Sequence, residues 1–249
     1  MSGFLGGTLA LALLLSGDAQ AVDGAGNGKS FGFVAWGCGS RVRSQWRQHD
    51  GRVVAEETLD LEGGRWMRYR LQRHNVRQEV VAIRSGREIV VTIRKGESQR
   101  RVSLRPTGEL LAGPTLVSHL AEALPTLQAG RPMEFDYLIA EQGIVLRLRA
   151  TATAQGGVEA REAAGSQAVP GTTAVRVEAA SVLLRAFVPT TTLVFDAAGG
   201  LRSLSGRLLP QTGDVTKAKS LDGVLRLEAA ETARSSSRMQ SVCNTTDLS

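Results

Sequence analysis

The strongest constraint in this chain is a period of two. Across residues 41–105, apolar and charged side chains alternate in short runs, and each run ends in residues that turn a backbone. The runs are 41–48, 52–61, 65–72, 77–84, 88–95 and 99–105. Between them stand His49-Asp50-Gly51, Gly63-Gly64, His74-Asn75, Ser85-Gly86 and Lys95-Gly96-Glu97. These supply the positive φ or local hydrogen bonding that tight hairpins need. Successive side chains of a strand point to opposite faces. Met67, Tyr69 and Leu71 are therefore expected on one face, with Arg68 and Arg70 on the other. Ile89, Val91 and Ile93 form a second such set, and Val102 with Leu104 a third. The pattern is that of an antiparallel sheet with one wet face and one face that must be covered.

The cover is expected from residues 114–128. Pro114 suits a first helical turn. Leu116, Leu120, Leu124 and Leu127, with Val117 and Ala121, fall on one stripe at helical spacing. Ser118, His119 and Glu122 fall on the other side. Pro125 is expected to kink or end the helix early, since proline removes a helical hydrogen bond. After Gly130 and Pro132 the period of two returns. Met133, Phe135, Tyr137 and Ile139 alternate with Glu134 and Asp136, and Ile144, Leu146 and Leu148 with Arg147 and Arg149. Further strands are expected over 174–188, 190–196, 201–209 and 221–227, with a loop over 154–172. The expected fold is mainly β: an antiparallel sheet curled into a half-barrel around one central amphipathic helix.

The ends read differently. Residues 9–15 are a short apolar run, too short to span a bilayer as a helix. Ala19-Gln20-Ala21 has the small-x-small form of a signal-peptidase site, so residues 1–21 read as a signal peptide cut after Ala21. A soluble periplasmic or secreted protein follows. Residues 22–30 read as a Gly-rich flexible linker, 31–228 as a single β-rich domain and 229–249 as a polar tail. Cys38 and Cys243 are the two cysteines, and an exported chain with an even count favours a disulfide between them.

Catalytic signatures are absent from the sequence. Residues 24–30 imitate a phosphate loop, but Asp23 stands where its first Gly is required. There is no Gly-x-Ser-x-Gly elbow. His49 and His74 fall in turns. His119-x-x-Glu122 offers two metal ligands where three or four are needed. Glu56 and Glu57 are adjacent and point to opposite sides of a strand. Glu134 and Asp136 share a face, but Arg147 and Arg149 are their expected cross-strand partners. No catalysis, metal or cofactor is expected. Lys+Arg exceeds Asp+Glu by 30 − 24 = +6, so the wet face is basic. In an exported protein such a face meets anionic lipid or an envelope partner rather than nucleic acid.

Two stretches carry a family resemblance. Leu127-Gln128-Ala129-Gly130-Arg131-Pro132-Met133-Glu134-Phe135 resembles the Leu-x-x-Gly-x-x-x-x-Phe step into a strand of DUF3108-like periplasmic β proteins. Leu193-Val194-Phe195-Asp196-Ala197-Ala198-Gly199-Gly200-Leu201-Arg202 resembles their later strand-turn-strand. Those proteins are similar in architecture to lipoprotein carriers of the LolA/LolB type. The resemblance implies a half-barrel over a helix with an apolar cavity between, and no catalytic residues. The expected function is a binding or carrier module for an apolar or amphiphilic, lipid-like ligand. Its candidate wall is Met67, Tyr69, Leu71, Leu116, Leu120, Leu124, Phe135 and Tyr137. The alternative is an envelope interaction protein with a filled core. Exposed sheet edges permit self-association without specifying an oligomeric state.

Overall fold

In the computed structural model, the described residues are 15–23, 26–153 and 171–228. They form fifteen strands and two helices. The first half holds β1 (Leu15–Val22), β2 (Gly28–Cys38), β3 (Arg41–Arg47), β4 (Val53–Glu62), β5 (Arg65–Arg73), β6 (Gln78–Ser85), β7 (Glu88–Lys95) and β8 (Ser98–Leu104). Then come β9 (Leu110–Leu111), α1 (Thr115–Gln128), β10 (Met133–Ile139), β11 (Ile144–Thr153) and β12 (Thr173–Ala179). A short α2 (Val182–Arg185), β13 (Thr191–Phe195), β14 (Leu201–Thr212) and β15 (Lys219–Leu227) complete the described chain.

All fifteen strands belong to one sheet. From β1 the chain meanders outward to β8 along one side. It crosses through α1 and meanders back from β9 to β15, which pairs with the free side of β1. Neighbours are antiparallel throughout, except for two residues of β9 beside β10. The hairpins follow the turn residues of the sequence, with Gly51, Gly64, Gly86, Gly96 and Gly143 at positive φ.

One bulge resets a strand. Leu61 pairs with Trp66 but Asp60 pairs with Arg68, so Met67 has no opposite residue. An extra residue flips the face that follows. Trp66, Tyr69, Leu71 and Arg73 turn inward, and Met67 is left half-buried beside them. The expectation that Met67 shares a face with Tyr69 and Leu71 is corrected by this bulge.

The sheet stays open, its end strands β8 and β9 unpaired with each other, and it curls strongly around the helix as expected. Its β9–β11 end lies beneath β5–β8. The Trp66 indole donates to the Leu110 carbonyl at 2.7 Å, and the Arg84 guanidinium stands 4.6 Å above the same ring. Arg100 donates to the Gln142 carbonyl at 2.6 Å, and Gly143 lies against Val102 and Ile93. Near its turn the β10–β11 hairpin therefore has apolar side chains packed on both faces, while Glu134 and Asp136 at its other end stay on the outside. Leu138 and Ala140 join Leu59, Trp66, Tyr69 and Val91 in one core. Phe135 and Leu148, on the opposite face, join Leu120, Leu124, Leu127, Phe31 and Trp46 in a second core around α1.

The helix runs through Pro125 to Gln128, so the early end expected there is corrected. Pro125 falls in the last turn, where only one carbonyl loses its amide partner, and the Pro125 carbonyl accepts from Ala129 N–H at 3.2 Å. The Gln128 side chain donates to the Thr173 hydroxyl at 2.8 Å, fixing that end to β12.

Three boundaries change. Leu15–Val22 is a central strand, paired to β2 on one side and β15 on the other. A cut after Ala21 would remove this strand, while residues 1–14 of the expected signal peptide lie outside the described residues. Gly17 and Gly223 line the β1–β15 seam, where a Cβ on either would collide with the opposite backbone. The flexible linker is corrected to a β1–β2 turn: Asp23 accepts from the Asn27 amide at 3.0 Å, and Lys29 and Ser30 already belong to β2. The strand expected over 174–188 stops at Ala179, and the chain leaves the sheet for α2. Residues 154–170, the tail 229–249 and Cys243 lie outside the described residues.

Candidate functional site

The eight wall candidates do not form one surface. Tyr69 and Leu71 are buried in the core beneath β10, away from the helix stripe. Leu120, Leu124 and Phe135 are buried in the core around α1. Leu116 and Tyr137 belong to that second core but stay half-buried, as do Val117, Ala121, Met133, Leu146 and Phe33. These inward-facing, half-buried side chains cluster around the N-terminal half of α1 and the strands that face it.

Where the two cores meet stands a polar group that sequence reasoning passed over. Glu57 lies on the inward face of β4, opposite Ser44 of β3 and Leu71 of β5. Its Oε1 accepts from the Tyr69 hydroxyl at 2.6 Å, and its Oε2 accepts from the Ser44 hydroxyl at 3.1 Å. Burial pushes the Glu57 carboxyl above its ordinary range, against those two hydrogen bonds and the nearby charge of Arg73. Burial also pushes the Tyr69 and Tyr137 phenols well up, helped in both by the charges of Glu57 and Glu141. Glu57 and Tyr137 thus lie deep in the protein, yet each keeps part of its surface accessible.

The chain just before α1 closes one side of this group. Gly113 has φ 48°, and a Cβ there would lie 2.6 Å from the Tyr69 ring and 3.2 Å from Glu57 Oε1. The Gly113 amide faces the Tyr137 hydroxyl. Thr115 Oγ1 holds the approach by bonding both the amide and the carbonyl of Ala112 at 2.9 Å. Arg73 is 3% exposed and each of its three nitrogens faces a partner. Nε donates to the Leu209 carbonyl at 2.8 Å, Nη1 to Gln78 at 2.7 Å, and Nη2 lies 3.5 Å from Glu141.

His119 is also placed differently from its expected solvated rim. Its ring packs edge-on to Phe135 with centroids 5.6 Å apart, and its Nε2 is buried with no hydrogen-bond partner. Glu122 is exposed, so the two do not converge on a ligand. Glu134 and Asp136 pair with Arg147 at 3.4 and 3.1 Å on the outer face. Much of the basic face is likewise matched: Arg41 with Asp60, and Arg70 and Arg94 with Glu79. The exposed feature that the sequence reading missed is α2. Val182, Leu183 and Phe187 are 72%, 82% and 83% exposed, and Arg185 ties the turn to Glu178 at 3.2 Å and to the Ala179 carbonyl at 3.0 Å.

Sequence signals for the missed residues were faint. Glu57 is the charged residue on an otherwise apolar face, at alternate spacing with Ala55 and Leu59. Trp66 became visible only through the bulge at Met67.

No family model and no curated protein matches the chain. Among solved structures, it is similar to a β-barrel-like protein of a domain of unknown function, DUF1849, from Brucella abortus. Identity is 13%, the match covers 86% of this chain and 96% of that one, and the TM-score is 0.45. That likeness does not carry the DUF3108-like or LolA/LolB naming, and it says nothing of a ligand.

Proposed function

We propose that this protein is a binding or carrier module for an apolar or amphiphilic ligand. The supporting observation is the set of half-buried, inward-facing side chains around the first turns of α1: Leu116, Val117, Met133, Tyr137, Leu146 and Phe33. In this reading an acyl chain packs against that accessible apolar row, with polar groups at one end. The carrier role implied by the LolA/LolB-like resemblance belongs to the same proposal. The test is organic extraction of the purified protein followed by mass spectrometry. A stoichiometric amphiphile is expected. A clean extract, together with failure of a neutral apolar dye to bind, would sink the carrier.

Export is part of this proposal, with processing N-terminal to Leu15 so that β1 survives. The intact mass of the exported chain should retain Leu15; a chain starting at Val22 would overturn that boundary. A bridge between Cys38 and Cys243 is also proposed, on the even cysteine count of a chain read as exported. Thiol titration of the denatured, unreduced chain should find none.

A second reading is favoured by α2. An apolar turn on a chain with formal charge +6 suits peripheral docking to an anionic lipid surface. Sedimentation with anionic vesicles, lost in Leu183→Asp and Phe187→Asp, would support it; equal sedimentation of those variants would exclude this turn as the contact.

A further inference from the structure

We propose that the group at Glu57, Tyr69 and Tyr137 receives the amino head of a single-chain amphiphile and discriminates against anionic heads. The proposal rests on the carrier reading and names what that site selects.

Head-group preference follows from which atoms are still available. Each Glu57 oxygen accepts one hydrogen bond from the protein, at 2.6 Å from Tyr69 and 3.1 Å from Ser44. A carboxylate oxygen has a second lone pair, so both atoms can accept from a ligand donor. The Tyr137 hydroxyl faces the Gly113 amide and donates to no protein group among the described residues. The site therefore offers acceptors and one rotatable hydroxyl. An ammonium has three donors and no acceptor, which complements that set.

An anionic head finds the opposite. It would sit beside the carboxylates of Glu57 and Glu141, whose charge is already felt by both tyrosines. Arg73 is the nearby cation, but Nε and Nη1 donate to Leu209 and Gln78, Nη2 faces Glu141, and its charge is already shared with Glu57. The start of α1 is no alternative, because the Thr115, Leu116 and Val117 amides are already bonded to the carbonyls of Ala112, Gly113 and Pro114 at 3.2, 3.3 and 3.2 Å. A carboxylate or phosphate head would add a third negative group around one cation that already serves Glu57 and Glu141, and burying an ion so poorly compensated is costly. An ammonium would instead offset the desolvation that Glu57 suffers alone.

General electrostatics runs the other way, which makes the test informative. The whole chain carries a formal charge of +6 and favours anions at long range. A preference for amines must therefore originate at the site. The experiment is displacement of Nile red, a neutral probe, from the delipidated full chain by dodecylamine, dodecanol, dodecanoate and dodecyl phosphate at pH 7. Dodecylamine should displace the dye at a concentration roughly tenfold or more below that of dodecanoate, the scale of one charge-assisted hydrogen bond. Glu57→Gln should bring the amine and the alcohol to within about threefold of each other, while dodecanol itself moves little. Tyr137→Phe, at a half-buried position, provides a second variant and should weaken the amine selectively.

Equal or tighter binding of dodecanoate would overturn the proposal while leaving the carrier reading intact, as would an amine preference that survives both variants. Failure of every amphiphile to displace the dye would overturn the carrier reading itself, and the head-group proposal with it.

Discussion

The core beneath β5–β8 and the core around α1 are built from the same alternating strands, but their inward side chains end differently. Beneath β5–β8, two layers of strand face each other, and Leu59, Trp66, Val91, Leu138 and Ala140 are shielded from solvent. Around α1, Leu120 and Leu127 are equally shielded, while Leu116, Val117, Met133, Tyr137 and Leu146 keep accessible surface. The first arrangement is a sheet folded onto itself, where the strands' pleats fill the gap. The second sets one cylinder against a wide concave sheet, and a single helix cannot fill that curvature along its whole length. The overlap is closed on both sides, and the less filled end of the helix core is where the proposed ligand would add contacts.

The largest expected effect tests the closed side. Trp66→Ala removes the ring that holds β9 and supports Arg84, and should cost about 3–5 kcal/mol in denaturant unfolding. A loss below about 1 kcal/mol would mean that the overlap does not hold the roll together. Two leucines on one helix then contrast the cores' filled and open parts. Leu120→Ala should cost about 2–5 kcal/mol, whereas Leu116→Ala should cost about 1 kcal/mol or less and weaken dye binding instead. Equal losses at both would remove the distinction between a filled and an open end.

The next effect is in pH. Burial raises the folded-state pKa of Glu57, so folding favours its protonated form. The contribution of Glu57 to stability is fully present below the unfolded pKa and is lost as pH rises through the raised folded value. Other carboxylates obscure this in the wild-type curve, so the quantity to measure is the difference in Tm between wild type and Glu57→Gln from pH 4 to pH 8. The variant should gain relative to wild type as pH rises; a constant difference would mean that Glu57 is not desolvated. The smallest effect is expected on the outer face. Arg147→Ala breaks its pairs with Glu134 and Asp136, and should leave the unfolding midpoint almost unchanged, because exposed ion pairs are weak. A larger loss would show that the cross-strand network carries the β10–β11 hairpin.

Sequence legibility followed the same division. Local chemistry determined the meander from β3 to β8, the helix over Thr115–Gln128, the β10–β11 hairpin and its outer Arg147 pairs. Those features depend on side-chain alternation and turn residues, which act over a few positions. The same reasoning misplaced Met67, because a single bulge reverses a face without altering the composition of the run. It did not anticipate the strand at Leu15–Val22, because an apolar segment with small residues suits both a signal peptide and a strand flanked by close neighbours. It passed over Glu57, since a charged residue next to Glu56 looks like a solvated face until the far side of the sheet is seen to return over it. Tertiary structure alone decided that β1 joins the two meanders, that β9–β11 tucks beneath β5–β8, and that Glu57, Tyr69, Tyr137 and Gly113 meet. Each of those facts depends on contacts between residues far apart in the chain, and such contacts are set by how the whole sheet rolls, not by any local pattern.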